Sequence, residues 1–307
     1  MKKIVLLSLV MAISVGLFAQ VTDAEKNLKT QNTDTTQGWK TGGVFSLAFS
    51  SVSLTNWAAG GQNSVSINGL ANMFAIYQKG PSAWENYLNL GYGFLKQGNA
   101  NGFMKSNDKI EFLSKYGRKA TKSWYYSALL SFNSQFTAGY NYPDDSTVIS
   151  NFLAPGYVLG AIGMDYKPNK TFSAFIAPFT SKITIVNDKL LSEAGAFGVE
   201  PGEQIRNEFG GYIRLFYTKN FSKNMVFQTK LDLFSNYLHN PQNIDVNWET
   251  LIDIKLNKFI SVIISTNLIY DDDIDIAIDN NGDGIVDASG PRTQFKNVLG
   301  VGLSYKF

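Results

Sequence analysis

The chain has no cysteine and a single histidine, His239. The first absence excludes disulfides, thiolate metal sites and a lipid-anchored N-terminal cysteine. The second leaves one imidazole for nucleophilic or metal chemistry. From Trp39 onward no apolar run approaches the roughly 20 residues that a membrane-spanning helix needs. An excess of one charge is also missing. The 27 basic residues face 25 acidic ones, and Lys2 and Lys3 lie in the leader, so the remainder is formally neutral. That balance argues against a nucleic-acid partner, which requires a clustered basic face.

What is present begins with MKKIVLLSLVMAISVGLFAQ: two lysines, an uncharged apolar stretch and the small residue Ala19. This pattern predicts a signal peptide over residues 1–19, and with it export. Residues 20–37 are polar, rich in Thr and Asn and poor in large apolar groups, which predicts a flexible lead-in on the periplasmic side.

Beyond residue 37 the dominant pattern is alternation. In WYYSALLSFNSQFTAGY (124–140) Trp124, Tyr126, Ala128, Leu130 and Phe132 share one face, with Tyr125, Ser127, Ser131, Asn133 and Gln135 on the other. Similar period-two stretches fall at 40–52, 63–78, 83–97, 107–118, 122–140, 153–167, 171–186, 204–218, 224–238, 245–257, 259–271 and 293–307, which predicts twelve strands. Their connections alternate between short (KGPS, RKATK, KPNK, KNFSK, NK) and long, including 141–151, 187–203 and 273–291. Short turns at one end and long loops at the other predict, over residues 38–307, an all-β, closed antiparallel transmembrane β-barrel in an outer membrane, with both termini periplasmic. Tyr77, Trp84, Trp124, Tyr166, Tyr217, Phe259, Tyr305 and Phe307 adjoin the short turns, where an interfacial girdle belongs.

The ending sets Leu303, Tyr305 and Phe307 at alternate positions and resembles the terminal-strand signal by which such barrels are recognised for assembly. The stretch SLTNWAAGGQNSVSINGLANMFAIYQKG (53–80), the alternating strands and the ending FKNVLGVGLSYKF resemble a family of gram-negative outer-membrane proteins classed as a domain of unknown function. The likeness extends over nearly the whole mature chain. It implies outer-membrane lipid as surroundings and the barrel-assembly machinery as a partner during biogenesis, and it implies no catalytic residue.

With the apolar face of each strand turned to lipid, the other face carries charges of both signs. The densest group is Arg206, Glu208, Arg214, Lys230, Asp232, Glu249, Asp253 and Lys255, with Glu85, Asn89, Lys109, Glu111, Lys115, Asp165 and Lys296 elsewhere. Twelve strands at about 4.8 Å spacing and a tilt near 40° give a backbone diameter of about 24 Å, which long side chains nearly bridge. These charges either pair into a network that stiffens the wall and partly or fully plugs the lumen, or line a narrow, weakly selective channel or ligand-binding barrel; mixed signs argue against strong ion selectivity. The alternative is an accessory subunit of a larger outer-membrane assembly or secretion complex, docked through its extracellular loops; an outer-membrane hydrolase ranks third. Ser235 and His239 lie about 13 Å apart along one strand, too far for a nucleophile and its base, so no enzyme is expected.

The strongest short motif is DNNGDGIVDASG (279–290). Asp279, Asn281 and Asp283 stand at positions one, three and five of a calcium loop, Ile285 offers its carbonyl at seven, and Asp287 stands at nine. Gly290 replaces the bidentate Glu at twelve. A weak extracellular Ca2+ site is expected, with Asp271, Asp272, Asp273 or Asp275 available to complete its shell.

Overall fold

A computed structural model describes residues 37–53, 63–98, 102–142, 144–256, 260–278, 287–303 and 305–306. Its strands in chain order are β1 (Gly38–Val52), β2 (Ser64–Lys79), β3 (Ser82–Gln97), β4 (Met104–Lys119), β5 (Trp124–Ser134), β6 (Gly139–Tyr140), β7 (Val148–Ser150), β8 (Gly156–Tyr166) and β9 (Phe172–Ile185). They continue with β10 (Ile205–Asn220), β11 (Met225–Asn236), β12 (Asp245–Lys255), β13 (Ile260–Tyr270), β14 (Asp275–Ile278), β15 (Ala288–Pro291), β16 (Gln294–Leu303) and β17 (Tyr305–Lys306). One antiparallel sheet runs β16-β13-β12-β11-β10-β9-β8-β5-β4-β3-β2-β1-β17, while β6 with β7 and β14 with β15 form separate hairpins in the loops. The last segment of the chain therefore appears at both ends of this order: β16 pairs with β13, and β17 pairs with β1 through Val44↔Lys306 and Phe45↔Tyr305.

The twelve expected strands are all present, and the links alternate as expected. Residues 80–81, 120–123, 167–171, 221–224 and 256–259 connect strands at one end, and the longer links lie at the other. Local chemistry makes the short turns tight. Gly80 takes a positive φ of 54° ahead of Pro81. The Asn169 Oδ1 accepts from the backbone N–H of Thr171 (2.8 Å) and of Phe172 (2.9 Å), an Asx turn that redirects the chain into β9.

The fifth strand is shorter than expected, ending at Ser134 rather than at 140. Beyond Ser134 the backbone donors go elsewhere: Phe136 and Thr137 N–H donate to the Asp108 carboxylate at 2.7 and 3.0 Å, and Tyr140 pairs with Val148. One carboxylate thereby ends the strand by satisfying its amides.

The sheet is inverted relative to a water-soluble sandwich. On its outer face large apolar groups are exposed, among them Leu47, Phe49, Ile67, Leu130, Ile162, Ile176, Phe179 and Ile213, and on its inner face Asn68, Asn72, Glu85, Asp165, Thr180, Glu208, Gln228 and Asp253 are buried. Aromatic side chains gather in two outer rows. Near the short turns Trp39 packs at a tilt against Tyr77 (5.1 Å) and Trp84 (5.9 Å), Trp124 meets Tyr166 (4.8 Å), and Phe227 lies between Tyr217 and Phe221. Near the long loops Tyr92 packs on Phe94 and Phe136, and Phe209 on Tyr237.

β9 departs from simple alternation. Its register shifts against both neighbours, between Ile162 and Met164 on one side and between Gly210 and Tyr212 on the other. Pro178, which has no N–H to give to a ladder, lies in the shifted stretch. Before it Phe175 and Ala177 are buried, and after it Thr180 and Thr184 are, so the inward parity changes from odd to even. Glycine is required beside this bulge: a Cβ at Gly163 would come within 2.0 Å of the Ile176 carbonyl oxygen.

Candidate lumenal site

Alternation carries the inward charges, and the curl of the sheet brings together strands that are not neighbours. Lys182 on β9 donates to Asp245 on β12 at 2.8 Å, although two strands separate them. In a flat sheet those strands would stand about 14 Å apart. Three ion-pair clusters result.

The first lies next to the short turns. Lys115 reaches Asp165 at 2.8 Å and Glu85 at 3.8 Å, while Lys167 reaches Asp165 at 3.2 Å and Glu85 at 3.6 Å. Burial pushes the Lys167 ammonium down, but Glu85 and Asp165 outweigh that and hold it above the ordinary lysine range. The second cluster lies at mid-height: Asp232 accepts from Arg214 Nε at 2.6 Å, from Arg214 Nη2 at 3.1 Å and from the Tyr212 hydroxyl at 2.8 Å, and Lys230 donates to Glu249 at 2.6 Å. The third lies at the long-loop end. There Lys182 holds Asp245, Asp271 (3.4 Å) and Glu208 (3.4 Å), and Arg206 binds Glu208 (3.1 Å) and Asp273.

Between the first two clusters the inner face lines a cavity of about 380 Å³, with residues contributed by strands from β3 to β12. Its lining is mixed. Charges and amides alternate with Leu113, Leu129, Phe175 and Phe216, and beside it Leu129, Ala161, Phe175, Ala177, Tyr212 and Phe234 form a buried apolar cluster. A smaller cavity of about 70 Å³ lies nearer the short turns and shares Glu85, Lys115, Asp165 and Lys167 with the larger one, so the first cluster stands between the two.

Arg206, Glu208, Arg214, Lys230, Asp232 and Glu249 join the clusters, and Lys109 pairs with Glu111 at 3.1 Å, which also accepts from Asn89 at 3.3 Å. Asp253 is buried, and Lys255 follows it at the short-turn end of β12. Lys182, Lys167, Asp245, Asp271 and Asp273 are further members, not among the expected inner charges. Large apolar side chains on β5, β9, β10 and β11 turn inward as well.

Of the calcium loop, Asp279, Asn281, Asp283 and Ile285 lie outside the described residues, while Asp287 is described and exposed. Ile276 pairs with Gly290 and Ile278 with Ala288, so Gly290 lies in the paired stem of β14 and β15. Asp271 and Asp273 turn inward to Lys182 and Arg206, and Asp272 accepts from Asn243 and from the Tyr270 hydroxyl. Asp245, Asp271 and Asp273 each bring an oxygen within 4.8 Å of the others, with those two cations beside them. Leu303 pairs with Ile260 and Tyr305 with Phe45, while Phe307 lies outside the described residues. At the rim, the Ser235 hydroxyl donates to the Pro241 carbonyl at 2.6 Å, and His239 is exposed with its Nε2 against Asn240.

Residues 49–140 match a family described as a protein of unknown function (DUF3078). That stretch runs from β1 into β6 and includes half of the first ion-pair cluster. No curated protein matches the chain by sequence. Among solved structures the chain is similar to an outer-membrane channel from Pseudomonas putida F1, at 10% identity and a TM-score of 0.42 over 89% of this chain and 97% of that one. It is also similar to the NanC porin, at 9% identity and a TM-score of 0.38 over 85% and 98%. A third is the translocator domain of the autotransporter NalP from Neisseria meningitidis, at 10% identity and a TM-score of 0.36 over 93% and 92%.

Proposed function

We propose that this chain is an outer-membrane β-barrel, closed between its last and first strands with both termini periplasmic, that holds small solutes in its inner chamber and lets them pass. The observation that carries the reading is the inverted sheet, apolar outside and charged within, around a cavity of about 380 Å³. The spacing of the aromatic rows supports a membrane setting. Trp84 and Phe94 lie ten residues apart on β3, which at about 3.3 Å per residue and a tilt near 40° is roughly 25 Å, the height of a barrel's apolar band. Closure is supported by the pairing of β17 with β1, and by the cost of leaving strand edges unpaired in lipid.

Paired charges of both signs along the chamber favour a narrow passage of weak ion selectivity over a filter of one sign. The reading contains no catalytic step, and the engagement of Ser235 and His239 with other groups supports that. Lipid surrounds the barrel, the Leu303, Tyr305 and Phe307 row serves its assembly, calcium orders the β14–β15 tip weakly, and the long loops offer a surface to a protein partner. Purified protein in planar bilayers should give small, ohmic single-channel events with little preference between cations and anions. Silent bilayers, with a stable protein partner co-purifying, would overturn the reading in favour of an accessory barrel.

A further inference from the structure

The outer face carries a row of cations just beyond its aromatic one. Register aligns Trp39, Tyr77, Trp84 and Tyr116 side by side across β1 to β4, because Tyr77 pairs with Trp39 and Trp84, and Trp84 with Tyr116. Two residues nearer the short turns, on the same outward parity, Ser82 pairs with Lys79 on one side and with Arg118 on the other. Both cations are exposed, and two strand spacings, about 10 Å, separate their backbones. Their long stems let both heads converge over Ser82. The Ser82 hydroxyl accepts from the Tyr116 hydroxyl at 3.1 Å, which leaves its own proton to give. The spacing recurs on β10, where Lys219 follows Tyr217 by two residues and its ammonium lies 5.4 Å from the centre of the Phe221 ring, along the outer surface.

Among the described residues no exposed carboxylate offsets these charges. Glu85, Asp165 and Asp253 belong to this end but are buried on the inner face, while Lys122, Lys170 and Lys223 stand exposed in the short links. The long-loop end instead exposes Asp144, Asp145, Glu193, Glu200 and Glu203. Solubility would be served by either sign at either end, so a rim of one sign points to an anion. A zwitterionic headgroup brings its own cation to the phosphate, and an acidic protein would have to displace lipid from the aromatic row to reach Lys79 and Arg118. A headgroup with net negative charge does neither.

We infer that Lys79 and Arg118, flanking Ser82 on the outer face of β2 to β4, form a headgroup site for an anionic phospholipid of the periplasmic leaflet. The phosphate lies between the two cations and accepts from the Ser82 hydroxyl, and the aromatic row below marks the start of the apolar band. This rests on the barrel reading above and adds to it a choice among the lipids around the wall.

Native mass spectrometry of the detergent-solubilised protein reads headgroup binding directly. Phosphatidylglycerol should bind about ten-fold tighter than phosphatidylcholine with the same acyl chains, and added salt should shrink the preference. Lys79→Gln/Arg118→Gln should bring phosphatidylglycerol down to the level of phosphatidylcholine, whereas Lys189→Gln at the long-loop end should leave the preference intact. Heat-modifiable migration checks the folding of each variant. Either single variant, which serves if the double does not fold, should remove about three-fold. The inference is overturned if the folded parent binds both lipids equally, or if the variants fold and keep the preference. Equal binding together with an acidic periplasmic protein that co-purifies through Lys79 and Arg118 would assign these cations to that protein instead. In each of these cases, flotation of the protein with phosphatidylcholine vesicles leaves the barrel reading standing. Failure to float with vesicles of either lipid overturns both.

Discussion

Asp232 is the best single point at which to test the inner network. Its carboxylate accepts from Arg214 Nε and Nη2 and from the Tyr212 hydroxyl, and Lys230 lies 3.6 Å away. Asp232→Leu keeps the branched shape but leaves the guanidinium and the phenol without their acceptor. Breaking a buried pair from one side costs about 3–5 kcal/mol. The side chains of Arg214 and Asp232 retain 22% and 12% exposure, so solvent screening places the expected loss at the lower end, about 3 kcal/mol. Arg214→Met should cost a similar amount, for the mirror-image reason. The double variant should cost no more than either single, about 3 kcal/mol, since an apolar pair strands no second charge, and the cycle should give a coupling of about 3 kcal/mol. The assay is urea unfolding in lipid vesicles followed by tryptophan fluorescence, with heat-modifiable gel migration as the check on folding. Strictly additive losses, or single variants within 0.5 kcal/mol of the parent, would refute the claim that these groups form one dehydrated unit.

Three further outcomes are expected. Ile162 is 65% exposed on the outer face of β8, and in lipid Ile162→Arg should cost about 2–4 kcal/mol in vesicle unfolding; an unchanged midpoint would mean that this face meets water. Lys167 is held above its ordinary value of 10.5 by Glu85 and Asp165, so its contribution is complete below pH 10.5 and is lost as the pH climbs past that point. The stability gap between parent and Lys167→Met should therefore be flat from pH 8 to 10 and narrow above it, and a gap that widens with pH would contradict the assignment. For the hairpin tip, calcium titration calorimetry should show weak binding that disappears in Asp279→Ala/Asp283→Ala; retained heat would rule out that loop as the site.

The backbone architecture was legible because period-two alternation is a local property. Ser66, Asn68, Leu70 and Asn72 are buried while Ile67 is exposed, as the pattern in 63–78 requires. The alternation of short and long links could be read from turn residues such as Gly80, Pro81 and Asn169. The site was only half legible. Lys182 escaped because the bulge at Pro178 reverses parity within β9, and counting from Phe172 puts this residue on the wrong face. Lys167 and Asp271 stand at the last positions of the stretches 153–167 and 259–271, past the ends of β8 and β13 in the structure, and Asp273 belongs to a link, where alternation says nothing. The end of β5 depended on Asp108, which lies 26 positions before Ser134 in the chain and meets Phe136 and Thr137 only when β4 and β5 pair.

By itself, then, the sequence determined the strands, their number, which end carries the long loops, and the sign of each face, because each of these follows from neighbours along the chain and the two-residue repeat of an extended backbone. Only the tertiary structure decided which opposite charges meet and where the cavity lies. Those depend on register, on one bulge and on the curl that brings Lys182 to Asp245 and Lys115 to Asp165 across intervening strands. Distances of that kind are set by the whole sheet, and no short stretch of sequence encodes them.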